Sequence, residues 1–475
     1  MIAGLKPYAE YTDSGHDWLG TLPAHWGQLR AKCLFREVDE RSKTGKEELL
    51  SVSHLTGVTP RRLKTVTMFL AESNVGHKVC RPGDLVINTL WAWMAALGVT
   101  KHTGIVSPAY GVYRPTDGGG ILPAYADHLL RTPLYAAEYQ RRSTGVNSSR
   151  LRLYPEQFLR IPILVPPQDE QVAIVRVLDW ANSRLEQTIR AKRKVIALLT
   201  EQRQSTIQRA ITHGLDVDVP LNFSGIPWLG DIPSHWRVSR LKHCVTRIEQ
   251  GWSPQCDAQP AGEFEWGVLK VGCVNKESFS WRQNKKLPEA LRPDLNLEVR
   301  DGDILVSRAN TRELLGLAAL ADKPRPKLIL SDKLFRFRAK VEHFDPAFLV
   351  CAIRAKASRA QIESSTNGAS SSMQNIGQAV LKNLWVAMPP VAEQRKILAQ
   401  VASETRPLDE SISRLEREID FLREYRIRLI ADVVTGKLDV REASALLPDE
   451  AVPAIEAEPT DESDDPEFTD EEAEA

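Results

Sequence analysis

No stretch of the 475-residue chain is apolar over the roughly 18 residues needed to cross a bilayer, and residues 1–10 lack a basic-then-apolar leader. A cytoplasmic protein is expected, with no membrane partner. The six cysteines (Cys33, Cys80, Cys244, Cys256, Cys273, Cys351) include no CxxC pair and no Cys/His spacing suited to zinc. Reduced, mostly buried thiols are expected. The ten histidines form no HExxH, and a phosphate-cradling Walker loop is missing: Thr44-Gly45-Lys46 runs into Glu47, with Glu40 where the first glycine belongs. Neither Pro-Pro pair is followed by the aromatic residue that adenine methyltransferases need, since Gln168 and Val391 stand there. The inventory therefore predicts no catalytic centre, no metal site and no cofactor held by this chain.

An excess of charge of one sign is also lacking. Lys plus Arg and Asp plus Glu each number 62, which taken whole argues against a nucleic-acid partner. The balance conceals a partition. Residues 449–475 hold 13 acidic side chains and no Lys or Arg, leaving 62 cations against 49 anions over residues 1–448, a net of +13. That body suits a polyanion. The tail 447–475, with Phe468 as its only aromatic, has too little apolar surface to offset ordering entropy and is expected to be disordered. It has two readings, a solvating segment or a competitor of DNA for the basic body.

What is abundant is repetition. The run Ser14-Gly15-His16-Asp17-Trp18-Leu19-Gly20-Thr21-Leu22-Pro23-Ala24-His25-Trp26 returns at Ser224 to Trp236 with eight of thirteen residues identical. Pro166-Pro167-Gln168-Asp169-Glu170-Gln171 returns at Pro389 to Gln394, and Thr212, Leu215, Asp216 and Val217 return as Thr435, Leu438, Asp439 and Val440. Gly145 with Ser148-Ser149 matches Gly368 with Ser371-Ser372. A period above 200 residues is a duplicated domain rather than a solenoid.

Within each copy, residues 14–165 and 224–388 mix short β-type runs with turn residues and read as α+β domains. Pro82-Gly83-Asp84 and Asp301-Gly302-Asp303 each precede an apolar run, which predicts a tight turn into a buried strand, with the aspartates structural. Residues 166–223 and 389–446 read as helical. Leu408, Ile412, Leu415, Ile419 and Leu422 form a heptad seam continued by Leu429 and Val433; Leu185, Ile189, Ile196 and Leu199 match it, with Lys192 breaking one layer. Such stripes cannot be buried alone, so antiparallel pairing is expected, in a register that the repeated Ser-Arg-Leu-Glu at 183–186 and 413–416 leaves open. Pro407 is expected to split the second region into helices near 391–405 and 408–435. The longer piece, about 28 residues and about 42 Å, compares with 34 to 36 Å for one turn of B-DNA. Two like domains about an antiparallel rod imply a pseudo-two-fold arrangement, which suits a bipartite and, since the copies differ, asymmetric target.

The doubled Ser-Gly-x-x-Trp-Leu-Gly-x-Leu/Ile-Pro-x-His-Trp opening, the Gly-Asp-Leu/Ile turn and the Pro-Pro-x-x-Glu-Gln helix entry resemble the specificity subunits of type I restriction-modification systems, over residues 14–440. The resemblance implies two target-recognition domains separated by coiled helices, with no catalysis of their own. It implies double-stranded DNA, two methyltransferase subunits and two restriction subunits as partners, and S-adenosylmethionine, ATP and magnesium held by those partners.

Base readout needs Arg, Lys, Asn, Gln or Ser on loops, with further cations on phosphates. In the first domain the candidates are Arg61, Arg62, Lys64, Lys101, Arg141, Arg142, Asn147, Ser148 and Arg150; in the second they are Arg282, Lys285, Lys286, Arg308, Asn310, Arg312, Ser371, Ser372 and Asn375. The matched Gly-x-x-Ser-Ser loops suggest a shared backbone task such as gripping phosphate. Arg190, Lys192, Arg193, Lys194, Arg203 and Arg209 make the first helical region basic, and Trp180 is a core or docking anchor there. His25 and His235 are expected to pack or cap the domain entries. A duplicated coiled-coil scaffold without DNA specificity is the competing reading, against which the basic body and polar loops speak.

Overall fold

In the computed structural model, the apolar runs behind the two Gly-Asp turns are the central strands of two sheets. Residues 4–64, 73–116, 118–145, 151–256, 259–275, 278–312, 314–365 and 374–448 are described, so the acidic tail beyond 448 lies outside them. The fold is α+β, and the chain divides into two compact units, Met1–Arg193 with Glu416–Ala475, and Lys194–Leu415.

In the first unit a four-stranded antiparallel sheet has the order Phe35–Glu37, Gly111–Pro115, Leu85–Ile87, Leu97–Val99. Leu85 and Ile87 face helices Pro123–Leu130 and Pro133–Arg142, sharing a core with Tyr125, Leu129 and Tyr135, while Val86 packs with Leu50, Val52 and Val112 on the other side. Successive side chains point to opposite faces and both faces are covered, which is why the run is apolar throughout. Each helix opens on a proline, whose missing N–H costs nothing in a first turn. The turn before the central strand needs Gly83 at φ 91°. Buried Asp84 accepts from the backbone N–H of Arg81 at 2.9 Å and from Arg114 Nε and Nη2 at 2.8 Å each.

The second unit repeats the frame with Glu249–Gln250, Leu334–Phe337, Ile304–Ser307 and Ala318–Leu320 in the same antiparallel order. Ile304 and Val306 share a core with Phe348 and Ile353, while Leu305 joins Leu269, Leu328 and Leu330 on the opposite face. Gly302 has φ 82°, and Asp303 accepts from the Arg300 N–H at 2.8 Å and from Arg338 Nε at 2.7 Å. The expected structural role of both aspartates is what the geometry provides: a turn cap paired with Arg114 at Asp84, and with Arg338 and, at 3.7 Å, Arg336 at Asp303.

The two long helices, Gln168–His213 and Val391–Val434, pack antiparallel. Within the first unit Arg426 pairs with Glu186 and Lys192 with Glu418 at 2.6 Å, so partner numbers rise on one helix as they fall on the other. Within the second unit Arg203 pairs with Asp409 at 2.9 Å. These ion pairs settle the register, and Lys192 breaks its apolar layer by reaching the carboxylate across the seam. The helix ends join the domain cores: Ile174, Val177, Leu429 and Val433 in the first unit, Ala210, Ile211 and Ile397 in the second.

Pro407 does not split the second helix, which runs unbroken through it. Pro407 and Ser403, whose carbonyl loses its helical donor, are both exposed, so the freed group lies on the solvent side of the helix, where a proline costs least. Buried Thr405 faces the other way.

Candidate nucleic-acid interface

The duplicated motifs bind one another. In the second unit, Glu393 of Pro-Pro-x-x-Glu-Gln accepts from Trp236 Nε1 at 3.0 Å and lies 2.8 Å from His235 Nε2. In the first unit, Glu170 lies 2.8 Å from His25 Nε2, but its second oxygen accepts from Tyr8 Oη instead of Trp26. Burial, and then the adjoining Glu170 carboxylate, push the Tyr8 phenol far above its ordinary range, which keeps it the donor. The neighbouring glutamines act identically. Gln171 donates to Gly120 and Pro166 carbonyls and accepts from the Leu122 N–H; Gln394 donates to His343 and Pro389 and accepts from Asp345. Both are fully buried, so each satisfies backbone groups that would otherwise be orphaned. His25 and His235 thus cap the domain entries, as expected from their place beside the tryptophans.

The far helix ends close on the same motifs. Gly436, at φ 78°, leaves no room for a Cβ, which would stand 2.4 Å from Pro23 Cδ. Gly214, at φ 74°, is looser, its Cβ position lying 3.3 Å from both Trp236 and Glu393. In the first unit the Asp439 N–H donates to the Lys6 carbonyl at 2.7 Å, so the chain's early residues meet the end of the second helix. The corresponding place in the second unit is the covalent run from Gly214 to Leu221.

The motifs thus hold each sheet frame, and the candidate contact residues hang from it. In the first unit Arg61 and Arg62 lie in a short 3₁₀ turn, Arg61–Leu63; Arg62 is exposed and pairs with Glu48 at 2.7 Å. Lys64 is half-buried and Lys101 exposed. Arg141 and Arg142 end their helix, and both grip the buried Glu138, Arg141 through Nε at 2.7 Å and Arg142 through Nε at 2.6 Å. Burial opposes ionisation of Glu138, yet the two guanidiniums outweigh it and hold the carboxyl below its ordinary range. Arg142 is mostly buried and structural, while Arg141 still exposes 64% of its side chain. Asn147, Ser148 and Arg150 lie outside the described residues. The Thr144–Arg152 bridge flanks them, and Arg152 Nε donates to Thr89 Oγ1 at 3.3 Å.

In the second unit two candidate segments meet. Ala309–Asn310 pairs with Gln374–Asn375, setting Asn310 opposite Gln374. Asn375 and Arg312 are exposed there, and Arg308 Nη1 donates to the Asp332 carbonyl at 3.1 Å. Arg312 lies 3.6 Å from Glu363. Three amides on this ladder, Asn310, Gln374 and Asn375, with the guanidiniums of Arg308 and Arg312 beside them in sequence, form a group able to donate to and accept from base edges. Ser371 and Ser372 lie outside the described residues, adjoining it in sequence. Arg282, Lys285 and Lys286 form a separate group: Arg282 lies over the Trp281 ring at 5.5 Å, Lys285 is exposed, and Lys286 pairs with Glu265 at 2.7 Å.

Arg152, in the basic cluster Arg150-Leu151-Arg152, and Gln374, in the polar run Asn367 to Asn375, belong to the same candidate segments. The halves align there: the Leu153 N–H donates to Thr89 O in one, and the Ile376 N–H to Arg308 O in the other. The basic first helical region is partly spent on cross-helix pairs through Lys192 and Arg203. Trp180 is half-buried against the first core, with Arg184 over its ring at 5.5 Å. Among the described residues no helix is long and apolar enough to cross a membrane.

No family model matches the chain. The specificity subunit of the type I restriction enzyme EcoEI of Escherichia coli is 32% identical over 187 residues, covering 39% of this chain. The chain spans 32% of that subunit's length. The EcoKI specificity subunit of E. coli strain K12 is 24% identical over 369 residues, 75% of each protein. A chain solved in work on complex assembly and conformational transition of the type I R-M system matches with a TM-score of 0.59 at 16% identity, over 87% of this chain and 98% of that one, a likeness of fold. By sequence this chain is similar to specificity subunits of type I restriction enzymes, and it shares the fold of a chain from a type I R-M system.

Proposed function

We propose that the chain is the non-catalytic DNA-specificity subunit of a type I restriction-modification complex. Its target-recognition domains, 14–165 and 224–388, each read one half of a bipartite, asymmetric site on double-stranded DNA. The observation that carries this reading is one sheet frame, locked twice by the same Glu and Gln, bearing unlike polar inserts. A common frame presents each insert in the same manner, and unlike inserts recognise unlike bases. The ladder carrying Asn310, Gln374 and Asn375, with Arg308 beside it in sequence, is the best-formed group of base-reading side chains among the described residues.

The paired helices set the gap between half-sites. Continuity through Pro407 lengthens the second helix to 44 residues, about 66 Å at 1.5 Å per residue, near two turns of B-DNA rather than one. The same chain docks two methyltransferase and two restriction subunits in the cytoplasm, which hold the S-adenosylmethionine, ATP and magnesium.

Methylome sequencing of cells with and without the gene tests the reading. An asymmetric, gapped adenine-methylation motif that disappears with the gene is expected; an unchanged methylome in cells whose methyltransferase is active overturns it. Deleting one heptad from each long helix in matching layers is expected to alter the gap, and an unchanged gap in an assembled complex removes the helices from that role.

A further inference from the structure

The second unit holds a cavity that the DNA reading leaves unused. It measures about 320 Å³ and is lined by Lys242, Arg247, Lys340 and Lys382, with Thr246 among them and no carboxylate. Lys242 comes from the short helix Leu241–Cys244 and Lys382 from the helix Gln378–Asn383, while Lys340 lies three residues beyond the strand Leu334–Phe337. None of the four cations has an ion-pair partner among the described residues, whereas elsewhere in the second unit Arg336 pairs with Glu249, Arg338 with Asp303 and Lys286 with Glu265. Four cationic residues without ion-pair partners gathered around one concavity repel one another, and an anion there relieves the repulsion.

The first unit shows that the frame does not require them. The Leu241 N–H donates to Leu384 O as the Ala31 N–H donates to Ile161 O, and the Lys340 N–H donates to Cys244 O as the Thr116 N–H donates to Leu34 O. With the halves so aligned, Lys340 stands where the first unit has Thr116, Lys382 where it has Leu159, and Arg247 where it has Glu37; Lys242 alone matches a cation, Lys32. The same scaffold is thus built without this charge. The cavity also lies away from the candidate base-reading ladder. Ile304 pairs with Phe337 at the end of the sheet near Lys340, while Ser307 pairs with Leu334 at the other end, where Arg308 and Asn310 follow.

We propose that this cavity is a phosphate-binding site. Lysine ammonium groups and one guanidinium suit the oxygens of a phosphate, as charge-assisted donors with no competing carboxylate. The phosphate comes from a DNA backbone or from a free phosphorylated small molecule. The site does not depend on the DNA-specificity reading, because its evidence is the charge and shape of the cavity.

Calorimetric titration of the full chain with pyrophosphate tests it, beside a variant carrying Lys340→Thr and Lys382→Leu, the residues of the first unit. Saturable binding by the natural chain, weakened at least tenfold in the variant, is expected, with pyrophosphate raising the melting temperature only of the former. A second variant, Lys242→Gln with Arg247→Gln, changes only exposed side chains and is expected to show the same loss should the first misfold. Absence of saturable binding, or equal binding by well-folded variants, overturns the site. A short duplex that displaces pyrophosphate identifies backbone phosphate as the occupant, and a duplex that binds without displacing it identifies a free phosphorylated ligand; either supports the site. Because pyrophosphate binding requires no target sequence, failure here is distinguishable from failure of the DNA reading.

Discussion

In the first unit the sheet face away from the helices is covered by a hairpin, Leu50–Ser53 with Gly57–Pro60; in the second it is covered by a three-stranded sheet of Asn284–Lys286, Gly267–Leu269 and Leu328–Ile329, the last two parallel. Everything beneath these covers agrees: the strand order, the Gly-Asp turn with its arginine, the Glu–His lock and the buried Gln. The difference teaches where the chain was free to vary. Agreement is found where a buried polar group has a fixed set of partners to satisfy, and divergence where side chains meet water and can serve recognition. The cationic cavity belongs to the divergent part, since three of its four charges lie on shared scaffold positions where the first unit has other residues.

The comparison is sharpened most by exchange. Replacing residues 14–165 with those of a related specificity subunit is expected to change one half of the methylated motif completely while the other half and the gap persist, read by methylome sequencing. Loss of both halves would show that the domains do not read independently.

Next in size is a contrast between the helix-end glycines. Gly436→Ala forces a Cβ to 2.4 Å from Pro23 in a left-handed backbone conformation, whereas the Cβ at Gly214 meets side-chain atoms at 3.3 Å. Losses of about 3 kcal/mol and about 1 kcal/mol are expected in urea unfolding; equal losses would remove the asymmetry. A smaller contrast separates the two locks. The Glu170 side chain is 2% exposed and that of Glu393 is 27% exposed, so Glu170→Gln is expected to cost about 2 kcal/mol and Glu393→Gln about 1 kcal/mol. Tyr8→Phe, with no counterpart in the second unit, is expected to cost about 1 kcal/mol.

The smallest effect is a pH dependence confined to the first unit. Glu138 is held below its ordinary value by Arg141 and Arg142. Its contribution to stability is therefore complete above the unfolded-state pKa of about 4.3 and is lost as pH falls through the lower folded value. Glu138→Gln is expected to flatten that part of the acid unfolding curve, and an unchanged curve would assign acid sensitivity elsewhere.

Much of this architecture was legible because it repeats. Two copies of one motif announce a duplicated domain, and a 4-3 spacing announces a helical seam, each without any knowledge of contacts. Pro407 misled because a proline's effect depends on whether the carbonyl it leaves unpaired faces protein or solvent, which the local sequence does not state. Arg141 and Arg142 read as surface cations, yet their shared partner is a buried glutamate three and four residues earlier. The spacing was visible, but the burial that makes Glu138 demand both arginines was not. The pairing of Gln374 with Asn310 was not legible, because the two lie far apart in sequence and meet only across a strand ladder.

By itself the sequence determined the duplication, the alternation of α+β domains with long helices, and the partition of charge between a basic body and an acidic tail, since periodicity and composition are properties of the chain. Tertiary structure alone decided the helix register, through Glu186–Arg426 and Lys192–Glu418 in one unit and Arg203–Asp409 in the other, and the grouping of Lys242, Arg247, Lys340 and Lys382 around one cavity. Coulomb interaction depends on distance in space, and folding brings together charges, as at Glu186 and Arg426, that the chain keeps 240 residues apart.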